Sequence, residues 1–291
     1  MMRLTASGLT SAMVAFLLAF GIRANAADRK ADTGPELRSE SALVVDATSG
    51  EVIFARKPTL VAPIASITKL MTALVVMDAL QPLDEVITLT ADDRWKGIGQ
   101  GSRLPIGARL TRADLMRLAL MASENRAARV LARNYPGGMK AFVRTMNVKA
   151  KALGMTQTHF DDPSGLSSAN LSTARDLAKL INAASRQSAI SDFSTLRTHE
   201  VRVGRRMLGY RNTNLLVGRP DWTIRVQKTG YTADAGECLA MQAKLGERTV
   251  VMVFLNSFGK LTRTADARRV RKWMEAKEAA ASARGGELAS K

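Results

Sequence analysis

The stretch PIASITKL, at residues 63–70, decides how this chain folds, together with the apolar residues that follow it as far as Leu80. From Ile67 onward, apolar side chains recur at the spacing of one helix face: Leu70, Met71, Leu74 and Val75. This periodicity predicts a helix with one buried side. Pro63 marks where the helix can begin, because proline is not tolerated in a helix interior.

Ser66 and Lys69 lie at the start of this predicted helix. A start near Ala65 places Ser66 in the first turn, where free backbone N–H groups and the helix dipole favour negative charge. Lys69 follows three residues later, on the same side of the helix. A lysine can take the proton of a serine only when its amine is neutral, which burial and a second cation both promote. The pattern predicts a serine nucleophile with a lysine base; a capping serine beside an exposed lysine is the alternative.

Two further motifs supply the partners that such a pair needs. The sequence SEN at residues 123–125 falls between two helical runs, where polar side chains can point into a cleft. The sequence KTG at residues 228–230 ends a predicted strand. Lys228 would project from that strand as the second cation, and Gly230 would let a ligand approach the backbone closely. The three motifs in this order favour the catalytic alternative.

Composition and the N-terminus restrict the possible partners. The chain has 291 residues, a formal charge of +17 and 46% hydrophobic residues, which suits a folded protein with an acidic partner. Residues 1–26 combine a basic start, a short apolar run and a small-residue site ending at Ala26, which predicts a signal peptide cut after Ala26 or Ala27. An uncleaved anchor is the alternative. Export argues against nucleic acid as the partner.

The single cysteine and the two histidines argue against other hydrolytic machinery. Cys238 is the only cysteine, so no internal disulfide can form, and its predicted strand favours a buried structural thiol over a nucleophile. His159 and His199 accompany no HExxH, GxSxG or paired-cysteine pattern. We therefore expect no metal, no cofactor and no Ser-His-Asp triad.

The order of predicted elements indicates an α+β fold. A hairpin at residues 42–55 precedes a mainly helical block, and later strands and a last helix are predicted at 196–203, 222–229, 237–243, 249–255 and 265–281. One sheet would then be built from both ends of the chain, with the helical block as an inserted lobe. The predicted divisions are a signal peptide (1–26), a linker (27–40), a main domain (41–281) with a sheet lobe (41–65 and 186–281) and a helical lobe (66–185), and a disordered tail (282–291).

The three motifs resemble those of the low-molecular-mass penicillin-binding proteins, which are serine D-alanyl-D-alanine peptidases. Within this family, the stretches LMASENRAA at 120–128, STARDL at 172–177 and RNTN at 211–214 are similar to the endopeptidase branch, the penicillin-binding protein 7 type. The resemblance implies an antiparallel five-stranded sheet flanked by helices, with an inserted mainly helical lobe, as in the serine β-lactamases.

The resemblance also implies a role for each motif residue. Ser66 would be the acylated nucleophile, Lys69 its base, and Ser123 a proton-transfer group. The residues implied in substrate binding are Asn125 for an amide, Lys228 and Thr229 for a carboxylate, Gly230, and Tyr231, whose backbone N–H would form the oxyanion hole with that of Ser66.

The resemblance implies a periplasmic enzyme that acts on peptidoglycan peptide stems and is inhibited covalently by β-lactams. The endopeptidase branch would cut D-Ala from the diaminopimelate of a neighbouring stem, and the alternative is a carboxypeptidase that removes terminal D-Ala. Residues 161–165 replace the loop that supplies the deacylating glutamate of class A β-lactamases, so we expect slow turnover of penicillin.

A basic binding module with an inactive site is the interpretation from a different class. Two groups of cations could form surface patches that contact an anionic membrane or a cell-wall polymer: Arg202, Arg205, Arg206 and Arg211, and Arg268, Arg269, Arg271 and Lys272. Solvated surfaces without a partner are the alternative.

Overall fold

The computed structural model describes residues 34–97 and 101–289, and the predicted signal peptide lies outside this range. The strands are β1 (Ser39–Asp46), β2 (Val52–Arg56), β3 (Ala62–Pro63), β4 (Val86–Thr88), β5 (Arg109–Thr111), β6 (Leu171–Ser172), β7 (Thr198–Val203), β8 (Arg206–Arg211), β9 (Thr223–Thr232), β10 (Gly236–Leu245) and β11 (Arg248–Ser257). The α-helices are α1 (Lys69–Asp78), α2 (Arg112–Met121), α3 (Asn125–Arg133), α4 (Gly138–Ala152), α5 (Ala174–Ala184), α6 (Ser188–Thr195) and α7 (Thr262–Ala289).

One antiparallel sheet of five strands, in the order β2-β1-β11-β10-β9, confirms the predicted fold class. The two N-terminal strands pair with the three C-terminal ones through β1 and β11, so the sheet is built from both ends of the chain. Strand β9 is an edge strand. The face of β9 that carries Lys228 and Gly230 packs against a 3-10 turn, Ala65–Thr68, that leads directly into α1.

The sheet separates two hydrophobic cores because successive side chains of a strand point to opposite faces. On β11, Val251, Val253 and Leu255 belong to the core shared with the helical lobe. Their neighbours Val250, Met252 and Phe254 belong to a second core beneath α7. The same alternation on β9 turns Lys228 towards the helical lobe, since its partner Ala240 lies in the first core.

The structure differs from the predicted boundaries at three places. Strand β1 begins at Ser39, inside the predicted linker 27–40. The strand predicted at 196–203 pairs only with β8 and stays outside the main sheet. The tail predicted to be disordered continues α7 as far as Ala289. The residues that precede it, 275–281, are rich in alanine, glutamate and lysine, which have high helix propensity and carry the helix into this tail despite its two glycines. Among the described residues, no helix is long and apolar enough to span a bilayer.

Candidate active site

Ser66 and Lys69 meet at the junction of the 3-10 turn and α1. The Nζ of Lys69 lies 2.7 Å from the Oγ of Ser66. Ala65, immediately before Ser66, has a φ of 46°, a left-handed conformation that is strained for a residue with a side chain. The capping alternative is wrong, because the turn has no side-chain cap and Lys69 is fully buried.

Three oxygen atoms surround the amine of Lys69. Besides Ser66 Oγ, they are the Oδ1 of Asn125 at 2.7 Å and the backbone oxygen of Ser164 at 2.6 Å. A neutral amine has two N–H donors and one lone pair. It can therefore donate to Asn125 and Ser164 while it accepts the hydroxyl proton of Ser66. The three partners therefore satisfy the hydrogen bonds of a neutral lysine, which is the form that a general base requires.

Burial lowers the pKa of Lys69 from 10.5 to about 7, and the negative charges of Asp162 and Glu124 oppose this shift. The sequence predicts two causes for a low pKa of Lys69, burial and the nearby cation of Lys228. Burial is the main one. Because Lys69 sits beneath the sheet edge with only three polar partners, its charged form loses most of its hydration.

Lys228 is the second buried amine. Its Nζ donates to the Oγ of Ser123 at 2.9 Å and to the backbone oxygen of Thr229 at 2.8 Å. Burial first, and then repulsion by Lys69 and Arg263, lower the pKa of Lys228 well below its usual value. Ser123 itself has a φ of 60° at the junction of α2 and α3, the position predicted for it.

Position 230 requires a glycine because the protein's own backbone packs against it. A Cβ at this position would lie 2.9 Å from the backbone oxygen of Ile64 and 3.2 Å from the backbone nitrogen of Ser66. The sequence predicts that this glycine allows close approach by a ligand. The structure shows that it lets the 3-10 turn pack directly on β9, which places Ser66 beside the KTG motif.

Threonine hydroxyls line the wall of the cleft next to Lys228. The Oγ1 atoms of Thr229 and Thr213 lie 2.6 Å apart, and the backbone N–H of Thr213 donates to the oxygen of Met121 at 2.9 Å. Arg263, from the first turn of α7, donates to the backbone oxygen of Gly230 at 2.6 Å and forms an ion pair with Glu237. This corner therefore combines hydroxyl donors with a guanidinium.

The predicted site residues come together around one cavity of about 740 Å³. Of the predicted set, Ser66, Ser123, Asn125, Thr229, Gly230 and Tyr231 line it. Lys69 and Lys228 are fully buried and reach the site through the hydroxyls of Ser66 and Ser123.

Sequence reasoning missed two contributors, the loop at residues 162–165 and Arg263. The loop supplies the Ser164 oxygen to Lys69, and buried Asp162 fixes it by accepting from the backbone N–H groups of Ser164 and Gly165. The turn-forming proline and glycine signalled a loop but not its contact with Lys69. No local pattern marks Arg263, because only the tertiary fold brings α7 to the end of β9.

The histidines and the cysteine take structural positions. His199 Nε2 lies 2.9 Å from Asp114 Oδ1, and His159 bridges to Leu171 in backbone pairing. Burial raises the pKa of the Cys238 thiol to about 11, so a reactive thiolate is unfavourable. In the described part of the chain, no cluster of three or more histidine, cysteine or acidic side chains could hold a metal ion.

Three features define the class of this site. One serine is hydrogen-bonded to a buried lysine, a second serine is hydrogen-bonded to another buried lysine, and an edge strand lies beside the nucleophile. These are the features of the active-site serine acyl-transfer enzymes, which include β-lactamases and D-alanyl-D-alanine peptidases. Residues 28–259 match the family described as D-alanyl-D-alanine carboxypeptidase. The chain belongs to this family of serine peptidases.

Relatives and solved structures agree with this assignment. A D-alanyl-D-alanine endopeptidase of Pseudomonas aeruginosa is 49% identical over 82% of this chain and 78% of its own length. A D-alanyl-D-alanine endopeptidase of Escherichia coli is 47% identical over 83% of this chain and 78% of its own length. The crystal structure of the Streptomyces K15 DD-transpeptidase superposes with a TM-score of 0.76 at 26% identity, over 84% of this chain and 99% of that chain.

Proposed function

We propose that Ser66 is acylated by the D-Ala carbonyl of peptidoglycan stems and that Lys69 is its general base. The 2.7 Å contact between the two side chains carries this proposal, together with the pKa of about 7 that burial gives Lys69. The hydroxyl proton moves to Lys69 as the Oγ–carbonyl bond forms. A backbone N–H of Ser66 and one of Tyr231 stabilise the resulting oxyanion, a contribution that typically changes rates by about 10²–10³.

Collapse of the tetrahedral intermediate needs a proton on the leaving nitrogen. Ser123 supplies it, because its hydroxyl is fixed by Lys228 at the cleft wall. The proton held by Lys69 then replaces the one that Ser123 lost. Water later attacks the ester by the reverse sequence, with Lys69 again accepting a proton.

The substrate carboxylate and a substrate amide position the scissile bond. Thr229 and Thr213 offer hydroxyl donors, the amine of Lys228 lies behind them, and the guanidinium of Arg263 provides positive charge beside them. The Oδ1 of Asn125 is occupied by Lys69, so its amino group is the part that can bind a substrate amide oxygen.

Cleavage of D-Ala–diaminopimelate cross-links is the proposed reaction. Two relatives with nearly half of their residues identical are named D-alanyl-D-alanine endopeptidases, whereas carboxypeptidases of Escherichia coli are 28–30% identical. In both types of substrate a carboxylate lies one carbon from the scissile nitrogen, so Thr229 does not discriminate between them. Removal of terminal D-Ala from pentapeptide stems is the second candidate activity.

Incubation with purified muropeptides separates the two activities. Cross-linked dimers and monomeric pentapeptides are digested in parallel and the products are resolved by chromatography, with Ser66→Ala as the control. We expect cleavage of the dimers. Shortening of the pentapeptide alone would contradict the endopeptidase proposal, and an unreactive protein would point to a binding module.

β-Lactams are expected to form a stable ester with Ser66. The loop at 162–165 stands where a β-lactamase needs a deacylating carboxylate, but Asp162 is buried and accepts bonds from Ser164, Gly165 and Ser167. It has no free capacity to activate water. Rapid hydrolysis of nitrocefin by the purified protein would refute this expectation.

The proposed domain divisions and the proposed periplasmic location both depend on cleavage of the signal peptide. A signal peptide cleaved near Ala26 would deliver a main domain of about 41–281 to the periplasm. N-terminal sequencing of the mature protein from a periplasmic extract tests the cleavage. An N-terminus at Met1 would contradict it.

The exposed arginines of the β7–β8 hairpin are proposed to contact the anionic cell wall or membrane. Arg202, Arg205, Arg206 and Arg211 are exposed there. In the second basic group, Arg269 pairs with Asp266 and Arg271 with Glu275, which reduces its net charge. Cosedimentation of Ser66→Ala protein with cell-wall sacculi should weaken as salt rises, and salt-independent binding would contradict the proposal.

A further inference from the structure

A second cavity opens beside the catalytic one at the far end of β9. It measures about 770 Å³ and shares Tyr231, Ala233, Glu237 and Arg263 with the catalytic cavity. Its outer wall is the loop at residues 258–261, between β11 and α7. We call this space the outer cavity. The proposed reaction uses none of its loop residues, although residues 257–260 repeat the Ser-x-x-Lys pattern.

The loop presents apolar side chains to solvent at an energetic cost. Phe258 is 76% exposed and Leu261 is 58% exposed, and Tyr231 at the shared wall is 55% exposed. Leu261 also has a φ of 67°, a left-handed conformation that is unfavourable for leucine. Strained, exposed apolar residues beside an active site are typical of ligand-binding segments.

Hydrogen bonds hold this loop in one conformation. Ser257 Oγ lies 2.7 Å from Thr262 Oγ1, which in turn donates to the backbone oxygen of Gly259 at 2.6 Å. The backbone oxygen of Leu261 accepts from Thr264 Oγ1 and from the N–H of Ala265. The side chains of Phe258 and Leu261 are therefore held in position by a hydrogen-bonded turn.

The direction of the substrate follows from the proposed function, on which this inference rests. The carboxylate of the leaving group lies at Thr229, and the scissile carbonyl lies two residues further along β9, at Tyr231. The acyl side of the substrate must then continue past Tyr231 towards Ala233. Ala233 borders the outer cavity as well as the catalytic cavity.

We propose that the outer cavity binds the acyl-donor stem peptide, in the residues that precede its D-Ala. Such stems carry methylene chains and carboxylates. Phe258 and Leu261 pack against the methylene groups, and exposed Lys260 pairs with a carboxylate. The outer cavity thus selects full-length stems over short D-Ala-D-Ala peptides.

Three substrates test the proposal: a short N-acylated D-Ala-D-Ala peptide, a full-length pentapeptide stem and a cross-linked dimer. We expect Phe258→Ala to lower kcat/KM about tenfold for the two full-length substrates, the order found when an apolar anchor is truncated, and to leave the short peptide unchanged. Lys260→Glu should act in the same direction. Val148→Ala, a similarly exposed apolar residue on α4, is the matched control and should change none of the three.

Leu261→Gly separates binding from folding. Glycine adopts the left-handed conformation without strain, so the variant should not lose thermal stability, yet it should lose the same preference for full-length stems. An equal loss for the short and the full-length substrates, or no loss for the full-length substrates that the wild-type protein cleaves, would overturn the proposal. Failure of the wild-type protein to cleave any of the three would instead overturn the proposed function.

Discussion

The amine of Lys69 must meet two opposing requirements. It must be buried to be neutral, yet a buried amine is costly unless it is fully hydrogen-bonded. Ser66, Asn125 and Ser164 supply three acceptors for the charged form, and two of them suffice for the neutral form. Both protonation states are therefore satisfied, which lets the amine receive and release a proton during one catalytic cycle.

Acylation of Ser66 should rise with pH through about 7. The neutral form of Lys69 is the base, and its pKa of about 7 means that protonation removes the base below that pH. The rate of labelling by a fluorescent penicillin, measured from about pH 5 to about pH 9, should increase about tenfold per unit on the acid side and then level off. Subtraction of the uncatalysed hydrolysis of the reagent is the control. A flat profile would exclude Lys69 as the base.

Glu124 tunes this midpoint without touching the substrate. It is buried, caps α3 through the N–H of Arg126, and its negative charge raises the pKa of Lys69. In Glu124→Gln the cap acceptor is kept while the charge is lost, so charged Lys69 becomes less favourable. The midpoint of the labelling profile should move to lower pH by less than about one unit. Glu200→Gln, at an exposed position on β7, should leave it in place, and an upward shift would contradict the argument.

At the scale of elements, the 3-10 turn is held between β9 and the loop at residues 162–165. Gly230 of β9 and Gly165 of the loop both pack closely against the backbone of the turn. A Cβ on Gly165 would fall only 1.9 Å from the backbone oxygen of Ala65. The position of Ser66 therefore depends on two glycines that lie far apart in sequence.

Gly165→Ala should displace the turn and impair catalysis. A shift of the nucleophile of about 1 Å can cost about 10²-fold in rate, so we expect a loss of that order in penicillin acylation. Gly154→Ala is the matched control, since Gly154 has a similar φ of 70° but no atom nearer than 3.9 Å to the added Cβ. It carries only the cost of a left-handed conformation for alanine, about 1 kcal/mol in the free energy of unfolding. Equal activities of the two variants would show that the clash has no catalytic effect.

The sequence predicted the elements that have local signals and missed contacts that only the fold creates. Helical periodicity after Ile67 and the strand that carries KTG placed Lys69 and Lys228 on the right elements, although β9 continues to Thr232, beyond the predicted end at KTG. Burial and a second cation were both predicted to lower the pKa of Lys69, but the extent of its burial could not be predicted, since burial is a tertiary property. The Ser164 oxygen likewise has no sequence signal, because any residue has a backbone carbonyl.

At the scale of the whole molecule, the two ends of the described chain are fastened to each other. Strands β1 and β11 pair along their length, and α7 covers the sheet face opposite the active site. Asp266 of α7 is fully buried at this junction. Its carboxylate accepts from the backbone N–H groups of Arg38 and Ser39 and from the Ser39 hydroxyl.

Asp266→Ala should destabilise the fold without changing the chemistry of the site. Removal of the carboxylate leaves the buried N–H and O–H groups of Ser39 and the partly buried N–H of Arg38 without this partner, which costs about 3 kcal/mol. The Tm should fall by about 5–10 °C, measured by calorimetry. Penicillin labelling well below the Tm should keep its rate, because this junction lies across the sheet from Ser66. Asp221→Ala removes surface ion pairs with Arg219 and Arg271 and should change the Tm little. If the two variants melted together, the junction between the chain ends would not be a principal source of stability.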